Sequence, residues 1–265
     1  MSDKSNTPQR DNGFSLHRLA AFASYYFPQL KRQIFAYLLI SILLSALIFV
    51  SNKYEVQMAL YSVTWSVLGI LCLCAPLIFA KKGNSRVIER LIPVSAAEKT
   101  VFYFLYLLVA IPVILFLAPS VAMYILIHNP GLISDQLNEI LKLSDLISES
   151  SRLTNVVSSV GAIATCFYFV MRARHNRMLV GIVSIIVLEI VCGIIGAFIG
   201  GYTVLKVGFD DGFNNRAPDP DRLIEIMTDA MSIHNPLMLG YMAIFTILSV
   251  TMIAMSYRLI KSQNL

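Results

Sequence analysis

The sequence predicts an all-α polytopic membrane protein, a bundle of six transmembrane helices. Three observations predict it. Hydrophobic residues make up 57% of the 265 positions, the charged types only 14%, and the mean hydropathy is +0.69. Soluble proteins carry about 25% charged residues, and a soluble domain of this size could not hide so much apolar surface. Second, six stretches are almost free of charge: 34–50, 60–80, 100–127, 153–171, 178–205 and 237–257. A bilayer crossing needs about 20 apolar residues, and each stretch is near or above that length. Third, the basic residues alternate from one inter-span segment to the next, as they do when successive loops lie on opposite sides of a membrane.

That alternation orients the chain. Segments 1–33, 81–99, 172–177 and 258–265 hold 15 of the 21 Lys and Arg residues, and 51–59, 128–152 and 206–236 hold the other 6. The acidic residues run the other way, 4 against 11, with Glu189 inside a span. Basic loops stay cytoplasmic, so both termini are expected inside, in the plasma (inner) membrane. The net charge of +5 then reads as affinity for anionic lipid, not for nucleic acid. In a background without native cysteines, cysteines placed at Asn138 and Asn214 should react with an impermeant thiol reagent on intact cells. One at Asn84 should not, and the reverse pattern would invert the topology.

Along the chain, residues 1–13 are polar and expected to be disordered. Leu16, Leu19, Ala20, Ala23, Tyr26, Phe27 and Leu30 recur at helical spacing. They predict an amphipathic helix over 14–33, lying in the cytoplasmic interface and bent at Pro28 toward the first span. The loop 81–99 carries Lys81, Lys82 and Gly83 as a helix end and a short helix over 86–91 that Pro93 breaks. Ser95 with Glu98 three residues on is a capping box that starts the third span. Pro112 and Pro119 are expected to kink or tilt that span. Outside, Asn129-Pro130-Gly131 forms a turn, and an amphipathic helix follows over 132–150. A basic turn, 172–177, joins the fourth and fifth spans. Asp219-Pro220 starts a short outside helix that Asn235-Pro236 ends. The tail 258–265 is cytoplasmic.

Chemistry of the usual kinds is missing from the residues. No G-x-x-x-x-G-K-[ST] or H-E-x-x-H occurs, and the four histidines all fall at or beyond span ends. Cys72, Cys74, Cys166 and Cys192 lie in apolar spans without metal-ligand spacing. No metal, cofactor or catalytic residue is therefore expected. Two features inside the spans stand out. Glu189 sits near the midplane, where an acidic side chain costs about 2.5–3.5 kcal/mol unless it faces protein or water. It is read either as part of a translocation path or as a structural carboxyl joining two helices. Gly196 and Gly200 form a G-x-x-x-G pair, and Gly193, Ala197 and Gly201 a second small-residue row. Such rows let helices approach closely, within one chain or between two.

The run Arg90-Leu91-Ile92-Pro93-Val94-Ser95-Ala96-Ala97-Glu98-Lys99 resembles the "LP-V/A-S-x-x-E-K" segment of permease subunits of ABC-2-type ABC transporters, with Ile92 standing between Leu91 and Pro93. The resemblance implies six spans with both termini inside, an interfacial N-terminal helix, and short outside helices between the fifth and sixth spans. It also implies a coupling segment that docks a separate ABC ATPase subunit. Here that segment would be Arg86, Val87, Ile88, Glu89, Arg90 and Leu91, followed by Pro93, Ser95, Glu98 and Lys99. Two permease chains, identical or different, would enclose the path. The rival from another class is a non-transporting membrane accessory, immunity or sensor protein that keeps the same bundle. An enzyme centred on Glu189 would need partner residues at its depth, and none is present.

Overall fold

A computed structural model describes residues 14–50, 54–79, 93–128, 135–173, 175–212 and 236–263. The helices are α1 (Leu16–Leu47), α2 (Tyr54–Cys74), α3 (Ala96–Leu105), α4 (Ile111–His128), α5 (Asp135–Arg172), α6 (Arg177–Gly212) and α7 (Pro236–Gln263). Turns of 3₁₀-helix close α1 (Ile48–Val50) and α2 (Ala75–Phe79), and a π turn (Tyr106–Ala110) joins α3 to α4. No strand occurs among the described residues. Six helices among them are long and apolar enough to cross a bilayer, within Leu16–Leu47, Ala59–Phe79, Ala96–Ala122, Thr154–Arg172, Arg177–Ile199 and Pro236–Ser262. The all-α polytopic bundle is what the apolar runs predict. The stretches 1–13, 80–92, 129–134 and 213–235, with the turn at Asn129 and the helix after Asp219, lie outside the described residues.

The segment 14–33 and the first span form one element, α1, a helix of 32 residues with Pro28 inside it. Of the positions spaced as an apolar face, Tyr26 and Leu30 are buried while Leu16 and Phe27 are 73% and 58% exposed, and Phe22, outside that spacing, is fully buried. Phe22, Tyr26, Leu30, Ser41, Ser45 and Ile48 are buried, with Ile34 and Tyr37 partly buried between them. This seam advances by three and four residues through Pro28 without a break. A proline in a helix interior costs about 3 kcal/mol, because its ring meets the carbonyl four residues back and its N–H is missing. Here Tyr26 before it and Leu30 after it both make core contacts, which offset that cost.

In a bilayer, helices gain little from burying apolar surface against one another, so close packing and hydrogen bonds must hold them together. Both are present. Tyr37 Oη donates to the Leu71 carbonyl at 3.2 Å, tying α1 to α2. Ser41 Oγ donates to the Leu115 carbonyl at 2.6 Å, tying α1 to α4. Thr64 Oγ1 reaches the Leu44 carbonyl at 3.4 Å and its own Leu60 carbonyl at 2.8 Å. The pairs 37–71 and 44–64 run in opposite order, so α1 is antiparallel to α2; Tyr26–Tyr103, Gln33–Tyr106 and Ser41–Leu115 run in the same order, so it is parallel to α3 and α4.

The irregularity expected near Pro112 is the π turn. Pro112 has no N–H for the carbonyl four residues back, and the ladder widens just before it, with the Ile111 N–H reaching Tyr106 O. Pro119 is carried within α4. The predicted outside helix and the fourth span form one element, since α5 runs 38 residues without interruption. Its lower half, 161–171, is the most enclosed part of the molecule, with Ile163, Ala164, Phe167 and Val170 all at 2% exposure or less. The basic turn after it closes on Asn176, whose φ of 49° lies in the left-handed region that asparagine tolerates. Arg177 Nε donates to the Ala173 carbonyl at 2.7 Å across that turn.

Candidate functional site

The residues of interest gather where α1 and α3 begin. Ser95 has extended backbone, and its hydroxyl accepts the Glu98 N–H at 3.2 Å. Glu98 Oε2 in return accepts the Ser95 N–H at 2.8 Å, completing the predicted capping box. The other oxygen does something the local pattern could not announce. Glu98 Oε1 accepts the Ser15 N–H at 2.6 Å, Arg18 Nε at 3.2 Å and Arg18 Nη2 at 3.0 Å. Ser15 is itself the N-cap of α1, with its hydroxyl 3.5 Å from the Arg18 N–H. One carboxylate therefore caps two helices 80 residues apart in sequence.

Glu98 is fully buried and Arg18 about a quarter exposed. A carboxylate offers about four lone-pair sites, and four N–H donors occupy this one. Three of them fall on Oε1 and one on Oε2, and together they make the carboxylate a structural joint between the two helices. Negative charge at two helix N-termini is also favoured by both helix dipoles. Lys99, 5% exposed, lies with Nζ 5.9 Å from the centre of the Phe22 ring, a cation–π contact on the same pair of helices.

An aromatic cluster continues the joint into the bundle. Phe22 meets Phe102 edge-on with centroids 5.2 Å apart, and Tyr26 and Tyr103 share a hydrogen bond between their hydroxyls at 3.1 Å. Phe79, ending the turn after α2, packs on Tyr103 at 4.8 Å, and Phe167 of α5 packs on Tyr103 at 5.3 Å. Four segments thus meet through rings, each such pair contributing about 0.5–1.5 kcal/mol beyond area. Tyr106 Oη adds a 2.9 Å bond to Gln33 Oε1.

The predicted coupling residues divide. Arg86, Val87, Ile88, Glu89, Arg90 and Leu91 lie outside the described residues. Pro93 and Ala97 are exposed, Ser95 is half-buried, and Val94, Glu98 and Lys99 are buried. Of the motif that carries the resemblance, the acidic and basic members are engaged inside the chain. Sequence reading did not find Ser15 and Arg18 as the partners of Glu98. A Ser-x-x-Arg pattern ahead of an apolar stripe is a visible N-cap, but nothing local tells which distant carboxylate it meets.

Glu189 and the glycine rows are brought to the opposite kind of place. Glu189 is exposed on α6, beside the midpoint of the span Arg177–Ile199, and accepts no hydrogen bond from the described residues. It lies within electrostatic reach of Cys192 and Tyr241. A Cβ added at Gly193, Gly196 or Gly201 would meet nothing within 4 Å. Ala197 is exposed as well. Gly193, Gly196 and Gly201 are thus not packed against another helix among the described residues. On α6 a packed glycine is Gly181, which the sequence reading did not single out: a Cβ there would run into Leu77 of the turn after α2 and Val170 of α5.

No family model, curated protein or solved structure matches this chain.

Proposed function

We propose that this chain is the membrane-spanning, permease-like subunit of an ABC-type transporter, with ATP hydrolysed on a separate ABC ATPase subunit. The observation that supports this reading best is the Glu98 joint. The short stretch Pro93–Ser95 leads into α3, and the Glu98 carboxylate in its first turn holds the starts of both α1 and α3. A push on the loop before Pro93 would reach both helices together, and the aromatic cluster would pass it to the ends of α2 and α5. In this mechanism two permease chains, identical or different, enclose the path, and both termini face the cytoplasm of the plasma (inner) membrane. Closure of the ATPase subunits on ATP shifts the two bundles between inward-open and outward-open states.

Docking would rest on apolar contacts from Val87, Ile88 and Leu91, with Arg86, Glu89 and Arg90 setting register, since exposed ion pairs contribute about 0–1 kcal/mol each. The test is affinity purification in mild detergent. A P-loop ATPase should co-purify with the unaltered chain. The double variant Val87→Asp, Leu91→Asp should insert normally yet lose that ATPase and its stimulated hydrolysis. An ATPase held with unchanged affinity by the double variant overturns the coupling assignment.

The burial of Glu98 and Lys99 supports a second reading, because residues engaged within the fold would serve equally in a non-transporting accessory, immunity or sensor protein built on the same bundle. Absence of any ATPase in the same purification favours it.

A further inference from the structure

Lys31 and Arg32 are both exposed on α1, within a helix long and apolar enough to cross a bilayer. Neither side chain makes a hydrogen bond or ion pair among the described residues. Their depth follows from the aromatic cluster. Tyr26, Phe79, Tyr103 and Phe167 are linked ring to ring with centroids 4.8–6.0 Å apart, so α1, α3, α5 and the turn after α2 share one level there. Lys31 and Arg32 stand five and six positions past Tyr26, about 7–9 Å above that level at 1.5 Å per residue. Arg172, five positions past Phe167, and Lys99, four before Tyr103, lie about 6–8 Å on the other side of it. The two cations are thus about 15 Å from the basic residues at the end where α1 and α3 begin, half of a hydrocarbon core of about 30 Å. Apolar side chains stay exposed in between. Phe27 on α1 is 58% exposed, and Val101 and Leu105 on the adjacent α3 are 44% and 55%. Lipid is their natural partner, so the hydrocarbon continues past Lys31 and Arg32. A cation held at that depth is expensive unless something pairs with it.

We propose that Lys31 and Arg32 bind the phosphate headgroup of an anionic lipid, drawn toward the middle of the bilayer along the outer face of α1. The lipid belongs to the leaflet on the side where α1 begins, the cytoplasmic one in the orientation proposed above. Charge complementarity selects it. Two adjacent cations match one phosphate, the guanidinium as a two-pronged donor and the ammonium as a point charge. The surroundings match the rest of the molecule. Phe27, Lys31 and Phe35 recur every four residues and form one row on the helix, with the two rings 58% and 66% exposed. An apolar–cationic–apolar row suits an amphiphile, whose chains lie on the rings while its headgroup meets the charge. The long stems of both cations reach toward the headgroup layer, which shortens the distance the lipid is drawn. Free phosphate has the same charge but no apolar part to hold it against the rings. The site uses α1 alone and stands or falls separately from the transporter reading.

The test uses the full chain in mild detergent, offered phosphatidylglycerol, phosphatidylcholine or inorganic phosphate and followed by native mass spectrometry. Phosphatidylglycerol should be retained on the order of thirtyfold more tightly than phosphatidylcholine, the attraction of two basic residues to anionic lipid. Inorganic phosphate should neither be retained nor displace it. Lys31→Gln with Arg32→Gln should abolish the preference. Lys31→Arg with Arg32→Lys keeps both charges and should keep it, and so should Arg258→Gln with Lys261→Gln, an exposed basic pair at the end of α7. Depth is read separately, in vesicles of phosphatidylglycerol and phosphatidylcholine brominated on their acyl chains. Phe27→Trp, made with Trp65→Phe, should be quenched there, because Phe27 lies in hydrocarbon below the cations. Four results overturn the proposal: equal retention of the two lipids, a preference that survives the double glutamine variant, displacement of the lipid by inorganic phosphate, and an unquenched tryptophan at position 27. None of them bears on the transporter reading, which is judged by ATPase co-purification.

Discussion

Glu98→Ala should cost on the order of 3–5 kcal/mol, the scale on which a buried pair broken from one side is destabilising, and should part α1 from α3 where they begin. Truncation leaves the Arg18 guanidinium facing a void and releases the N–H groups of Ser15 and Ser95 together. Ser95→Ala removes one cap bond and leaves the carboxylate with its other partners, so it should cost about 1 kcal/mol. Glu98→Gln should fall between them, because the amide oxygen still accepts while the charge facing Arg18 is gone. Thermal unfolding in a fixed detergent, followed by the Tm of each variant, orders the three. If Glu98→Ala and Ser95→Ala shift the Tm equally, Glu98 is only a local cap and the link from α1 to α3 carries no weight. That outcome would also weaken the mechanical coupling proposed here.

Gly181→Val should be nearly as damaging, and for a different reason. The first carbon added at Gly181 would already collide with Leu77 and Val170, and valine adds two branches to it. Over-packing typically costs about 1–3 kcal/mol, and Gly181 stands where α5, α6 and the turn after α2 converge. The adjacent 3.9 Å contact from Cys166 Sγ to the Gly181 carbonyl would be displaced as well. Gly193→Val, made in the same helix, has open space around it and should leave the unfolding of the single chain unchanged. The pair sets a packed position against an open one: Gly181→Val lowers the Tm, and Gly193→Val leaves it unchanged. Equal Tm values for the two variants would show that α6 docks loosely and that Leu77 yields without cost.

Much of the architecture was legible before any coordinates, because a bilayer imposes simple rules. Every backbone group in the hydrocarbon must be satisfied within its own segment, so an apolar run of the right length is a helix. The apolar runs, and the capping box at Ser95 and Glu98, follow from local chemistry of this kind. So does the turn at 172–177, where asparagine accepts a left-handed backbone. The N-terminal helix shows where local reading stops. Spacing around Leu16 and Phe27 suggested one apolar face, and Pro28 suggested a bend, but neither could register that Phe22, Tyr26 and Leu30 continue a seam reaching Ser41 and Ile48. Packing against α3 carries this seam past the proline.

The same division runs through the functional residues. Sequence by itself determined the membrane class, the number of spans and the presence of a carboxylate at the start of the third span, since each depends on composition or on neighbours within four positions. Only the tertiary structure decided that this carboxylate holds Arg18 and Ser15, that Gly181 is packed while Gly193 and Gly196 are open, and that Glu189 faces outward. Those facts depend on which helix lies beside which. In a chain whose spans are all apolar, the sequences of the two faces of a helix barely differ, and it is shape and a few buried hydrogen bonds that choose the neighbour.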